Sequence, residues 1–100
     1  MKLQIHSIHF NADTKLTDFI QKKADKLETF YDRIVDGEVF LRLEKDAHQE
    51  NKTVEIKLNI PGDQLFAKTK SKSFEAATDL TIEALRRQIK KHKEKITSHH

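Results

Sequence analysis

The chain has 100 residues, 36% hydrophobic and 35% charged, with a net charge of +3 and no cysteine. That length makes one domain, able to bury roughly two-thirds of its unfolded surface without staples, and the missing cysteines exclude disulfides and thiolate metal sites. Met1 leads into a strand-like pattern with no apolar secretory region, and no apolar run approaches a bilayer span, so the expectation is a cytoplasmic protein with no membrane partner.

Leu3 and Ile5 alternate with Lys2, Gln4 and His6 as a strand with one buried face, and the phase slips by one residue at Ile8 and Phe10, which predicts a bulge or strand end near Ser7. Asp13 is a plausible N-cap. From Leu16 the residues Phe19, Ile20, Ala24, Leu27, Phe30 and Tyr31 recur at three and four, predicting a helix over 14–31. Asp36-Gly37 reads as a turn, followed by a strand in which Val39, Leu41 and Leu43 alternate with Phe40, Arg42 and Glu44. The polar stretch 45–52 predicts a loop. Val54, Ile56, Leu58 and Ile60 form a third strand, and Pro61-Gly62-Asp63 turns the chain into a fourth with Leu65, Ala67 and Thr69. A long helix from residue 72 or 73 to about 95 buries Phe74, Ala77, Thr81, Leu85 and Ile89.

The order strand, helix, three strands, helix predicts an α+β fold. It is a two-layer βαβββα sandwich with a four-stranded mixed sheet, the first strand joined by a right-handed parallel crossover and both helices on one face. The other face carries Gln4, His6, Phe40, Arg42, Lys57, Phe66 and Lys68. One domain should fill 1–100, with a core over about 2–96 and a flexible tail at 97–100, where His99 and His100 have the look of a tag remnant.

With so mild a net charge, function has to be read from where the charges sit. Six of the ten residues from Arg86 to Lys95 are Lys or Arg, a density easiest to justify if a polyanion lies against it. At helical spacing Arg86, Lys90 and Lys93 share one line while Leu85, Ile89 and Ile96 share another, so the cations form a ridge above a buried stripe. The first helix divides its polar side by sign: Lys15, Lys22, Lys26 and, if the last turn persists, Arg33 lie in one arc, with Asp18, Asp25, Glu28 and Asp32 in another. Catalytic chemistry finds no support. There is no G-x-S-x-G, only two glycines and hence no phosphate-cradling loop, and His6, His9, His48 and His92 lack metal-ligand spacing. No enzyme, metal or cofactor is expected, and no small-molecule substrate.

Several segments together carry a resemblance. Lys26-Leu27, then Phe30-Tyr31-Asp32-Arg33-Ile34, Glu44-Lys45 with His48 beyond, Pro61-Gly62, Phe74-Glu75-Ala76-Ala77 with Asp79, and Leu85-Arg86-Arg87-Gln88-Ile89 running into Lys91-His92-Lys93 and Lys95 resemble the ribosome hibernation promoting factors. These are also called ribosome-associated translation inhibitors or ribosomal subunit interface proteins. The likeness covers nearly the whole chain and is to the short form, which ends after the second helix. The chain departs at Ser7, where relatives often have glycine, and over 46–51.

The resemblance implies a domain similar to double-stranded RNA-binding domains, seated on the small ribosomal subunit of the 70S ribosome. There it would occupy the mRNA channel and the anticodon-end tRNA sites and silence translation in stationary phase or stress. The charge pattern fits this: the expected rRNA-binding residues are Lys22, Lys23, Lys26 and Arg33 from the first helix and Arg86, Arg87, Lys90, Lys91, Lys93 and Lys95 from the second, reading shape and charge rather than sequence. Tyr31 either stacks on a base or closes the core. A general double-stranded RNA binder and a protein-interaction domain using the open sheet face are the competing readings.

Overall fold

The structure, a computed structural model, describes residues 1–45 and 50–97. Expectations that fall on 46–49 with His48, on the Ile96 side chain and on 98–100 lie outside the described residues. The elements are β1 (Lys2–Ile8), α1 (Thr14–Phe30), β2 (Asp36–Lys45), β3 (Glu50–Ile60), β4 (Asp63–Ser71) and α2 (Phe74–Thr97). They form one sheet in the order β1-β2-β3-β4, with β1 parallel to β2 and the other pairs antiparallel.

Alternation sets the two faces of the sheet. Val39, Leu41, Val54, Ile56, Leu58, Leu65 and Ala67 are buried on the helix side, where α1 contributes Leu16, Ile20, Ala24 and Leu27 and α2 contributes Phe74, Ala77, Leu85 and Ile89. Two threonines of α2, Thr78 and Thr81, are also fully buried, and each donates its hydroxyl at 2.7 Å to the carbonyl four residues earlier, so neither leaves an unpaired polar group in the core.

One open choice is decided, for a strand end near Ser7, and three expectations change in detail. No bulge breaks β1: its register with β2 is continuous to Ile8, and the phase slip is absorbed by the strand ending there, with His9 at φ 69°. The Ser7 hydroxyl accepts from the Ala12 amide at 3.3 Å and ties down this connection. Asp36-Gly37 is not a turn but the start of β2. Gly37 is needed because a Cβ there would lie 2.7 Å from Leu58 Cδ2 and 2.9 Å from Leu3 Cδ1. The polar stretch expected as a loop is partly strand, since Glu44 pairs with Asn51 and Lys45 with Glu50. Helix α1 stops at Phe30, with Tyr31 extended at φ −150°, so Arg33 and Asp32 are not helical.

Helix starts follow the expected chemistry. Asp13 Oδ1 accepts from the Leu16 amide at 2.8 Å, and Ser73 Oγ accepts from Ala76 at 3.0 Å, each satisfying an otherwise orphaned first-turn donor. Gly62, at φ 77°, makes the Pro61-Gly62 reversal between β3 and β4.

Candidate nucleic-acid interface

Helices α1 and α2 run side by side in the same direction. Glu75, at the start of α2, lines a hollow with Leu16 and Phe19 at the start of α1, while Arg86 and Lys93 reach Phe30 at its end. This parallel packing brings the C-terminal ends together. α1 has no basic residue in its own last turn, and the Lys93 ammonium from α2 supplies one, donating to the Phe30 carbonyl at 2.9 Å. A cation at the negative end of a helix is favourable, so Lys93 joins the two helices as well as adding charge.

Between the helices lies a trough. One part, of about 690 Å³, is lined by Phe30, Glu83, Arg86, Arg87, Lys90, Lys93 and Glu94. The adjoining part, about 550 Å³, shares Phe30, Glu83 and Arg86 and adds Lys23, Lys26, Leu27, Thr29, Asp79 and Ile82. Its cations are unequal. Lys23 is held at 3.4 Å from Asp79 and lies over the Phe19 ring, and Arg87 stands 4.0 Å from Glu83 with both side chains exposed, a pair of little strength. Lys26, Arg86 and Lys90 have no ion-pair partner among the described residues, and the Arg86 guanidinium sits 5.3 Å from the Phe30 ring centre. A polyanion displaces no carboxylate to reach these three.

The sequence-derived residues therefore divide. Lys23, Lys26, Arg86, Arg87, Lys90 and Lys93 converge on the trough. Lys22 instead borders the neighbouring hollow with Lys15, Asp18 and Phe19. Arg33 lies beyond the end of α1, and Lys91 and Lys95, exposed on α2, are displaced round the helix from Arg86 at about 100° per residue. Tyr31 is buried and meets His92 edge-on at 5.6 Å, which places it in the core. The aromatic facing the trough is its neighbour Phe30, which periodicity counted only as a core residue.

The acidic arc of α1 has a separate task. Asp25, at 2.9 Å, and Glu28 hold the Met1 ammonium, while Gln21 donates to the Met1 carbonyl at 3.0 Å. Hydrogen bonds to Glu28 and then Asp25 raise the pKa of that amine, and the amine's hydrogen bond holds the Asp25 carboxyl below its usual range. Segregation of sign on α1 thus serves packing of β1 as well as the basic side.

Several charges of the open sheet face are paired. His6 pairs with Glu38 at 3.2 Å, Arg42 with Glu55 at 3.2 Å, and Lys70 with Glu44 at 3.0 Å, which holds the Glu44 carboxyl low. Phe40 is stacked under His6 at 5.0 Å with Arg42 and Lys57 nearby. Phe66, 44% exposed, lies opposite Lys57 in a different row of the sheet, so the two phenylalanines do not form one platform. Gln88 from α2 donates to the Phe66 carbonyl at 2.7 Å and accepts from its amide at 3.3 Å, closing part of the β4 edge. Among the described residues no cluster of His, Asp or Glu is placed to hold a metal, and no helix is long and apolar enough to cross a membrane.

Fold and site define a class: a small βαβββα domain that presents an open, basic trough between two parallel helices. Within that class, residues 3–97 match the sigma 54 modulation protein / S30EA ribosomal protein family, and the chain belongs to it. It is 33% identical to a ribosome hibernation promoting factor of Pseudomonas putida over 95 residues, spanning 95% of this chain and 89% of that protein. It is also 33% identical to the ribosome hibernation promoting factor of Escherichia coli K12 over 99 residues, 99% of this chain and 100% of the other. In fold it is similar to a ribosomal subunit interface protein from Coxiella burnetii, with a TM-score of 0.85 at 21% identity over 94% of this chain and 99% of that one. The N-terminal domain of Thermus thermophilus Protein Y is similar at a TM-score of 0.80 and 20% identity, over 92% and 99% of the two chains.

Proposed function

We propose that this chain is a ribosome hibernation factor, binding the small subunit of the 70S ribosome and holding it translationally silent under stress or in stationary phase. The observation that carries this is the full-length match to ribosome hibernation promoting factors. The cations Lys26, Arg86 and Lys90, which line the trough from both helices and have no ion-pair partner among the described residues, supply a physical means for it. A rigid domain with such a ridge suits the phosphates of folded rRNA, read by shape and charge.

The proposed seat is the mRNA channel and the anticodon-end tRNA sites, where occupancy alone blocks initiation and no bond is made or cut. Its place of action is the cytoplasm, where the ribosomes are. Sucrose-gradient co-sedimentation tests the partner: the chain should travel with small subunits and 70S ribosomes and not with isolated large subunits. Equal binding to any RNA duplex, with duplex competing ribosomes off, would replace this reading with a general RNA binder. Salt-insensitive self-association without ribosome binding would replace it with a protein-interaction domain.

A further inference from the structure

The trough holds features that a phosphate backbone does not call for. Phe30, Leu27 and Ile82 line it with apolar surface, and Glu83 stands among its cations. A carboxylate repels a phosphodiester, and a phenyl ring offers it nothing. A nucleobase uses both, since its flat face stacks on an aromatic ring or a guanidinium plane and its exocyclic amine donates to a carboxylate.

Resting on the rRNA-binding reading above, we infer that the trough accepts one unpaired nucleobase of an RNA strand, stacked against the Phe30–Arg86 pair, with the flanking phosphates on Lys26 and Lys90. The pair is pre-assembled: the Arg86 guanidinium carbon lies 5.3 Å from the Phe30 ring centre, and Lys93 anchors the same residue twice, at 4.5 Å from the ring centre and 2.9 Å from the carbonyl oxygen. Phe30 is half-buried, so its position is fixed by packing before any ligand arrives. Glu83, at the rim beside Arg87, is within reach of the edge of the base and favours one that carries an amino group. The ligand is thus RNA with a bulged or looped-out base, and the site adds a local preference to a contact otherwise made by charge.

The test uses a short RNA hairpin with one bulged adenine and the same hairpin with that adenine paired, titrated against the intact chain and against Phe30→Leu and Arg86→Lys. The first variant keeps apolar bulk without the ring; the second keeps the charge without the plane. The intact chain should bind the bulged hairpin about tenfold more tightly than the paired one. Both variants should lose that preference because affinity for the bulged hairpin falls to that for the paired one, and 2-aminopurine in the bulge should lose fluorescence only with the intact chain. No preference by the intact chain, retention of it by either variant, or joint loss of both affinities in the variants overturns the inference. A chain that co-sediments with small subunits yet shows no preference overturns this inference alone, whereas failure to co-sediment overturns the hibernation reading itself.

Discussion

Lys26, Arg86 and Lys90 matter because they line the trough from both helices and have no carboxylate partner among the described residues. Arg86→Glu with Lys90→Glu should weaken ribosome binding on the order of a hundredfold, because two attractions become repulsions of several kcal/mol together. The fold should survive, since both side chains are exposed. Lys2→Glu with Lys68→Glu, exposed on the opposite face of the sheet, should cost less than about threefold, because charge beyond a Debye length is screened. Co-sedimentation at fixed salt measures both. A second residue-scale prediction concerns pH. The Met1 amine has a raised pKa, so its contribution to stability is fully present below about pH 8 and is lost as pH climbs through the raised value; Asp25 has a lowered pKa, so its share is present above about pH 4 and is lost in acid. Asp25→Asn with Glu28→Gln should flatten both arms of a Tm-versus-pH curve. The difference should amount to less than about 1 kcal/mol because the Asp25 carboxylate is 48% exposed.

At the scale of elements, most of the fold was legible because alternation and helical spacing report burial directly. Val39, Leu41, Val54, Ile56 and Leu58 line one face as their period requires, and Asp13 caps α1 as its side chain suggests. The misreadings share a physical cause: one local signal serves two structures. Asp36-Gly37 reads as a turn, yet Gly37 is a strand residue that lets Leu3 and Leu58 close over it, and only the paired strands reveal the crowding. Gly37→Ala should therefore destabilise by about 1–3 kcal/mol in a denaturant titration, the usual cost of overpacking. Phe30 escaped notice as a trough residue for a similar reason. Phe30 and Tyr31 both extend the apolar period of α1, and the sequence does not say that the helix ends between them and turns Tyr31 into the core. Nor does it show Gln88 reaching the β4 backbone. Replacing Gln88 by Ala should uncover the edge at Phe66, lowering stability by about 1 kcal/mol and raising light scattering at high protein concentration.

Across the whole molecule the decisive feature is the parallel packing of α1 and α2, which no local pattern encodes. It gathers Lys26, Arg86, Arg87, Lys90 and Lys93 at one end of the trough, leaves Asp79 paired with Lys23 nearer the other, and puts the sheet behind. Six cations line the trough. If about that many phosphates are neutralised, log affinity should fall against log salt with a slope near −4 to −5; a slope near zero would remove the electrostatic account. The central claim, that a rigid basic domain silences ribosomes by occupying the path of mRNA and tRNA, is tested most directly by competition. Ribosomes preloaded with mRNA and initiator tRNA are compared with empty ribosomes for co-sedimentation of the chain, then washed at high salt and assayed for translation. The account predicts strong binding to empty ribosomes, little to loaded ones, and full recovery of translation after the wash. Equal binding to loaded and empty ribosomes would contradict it.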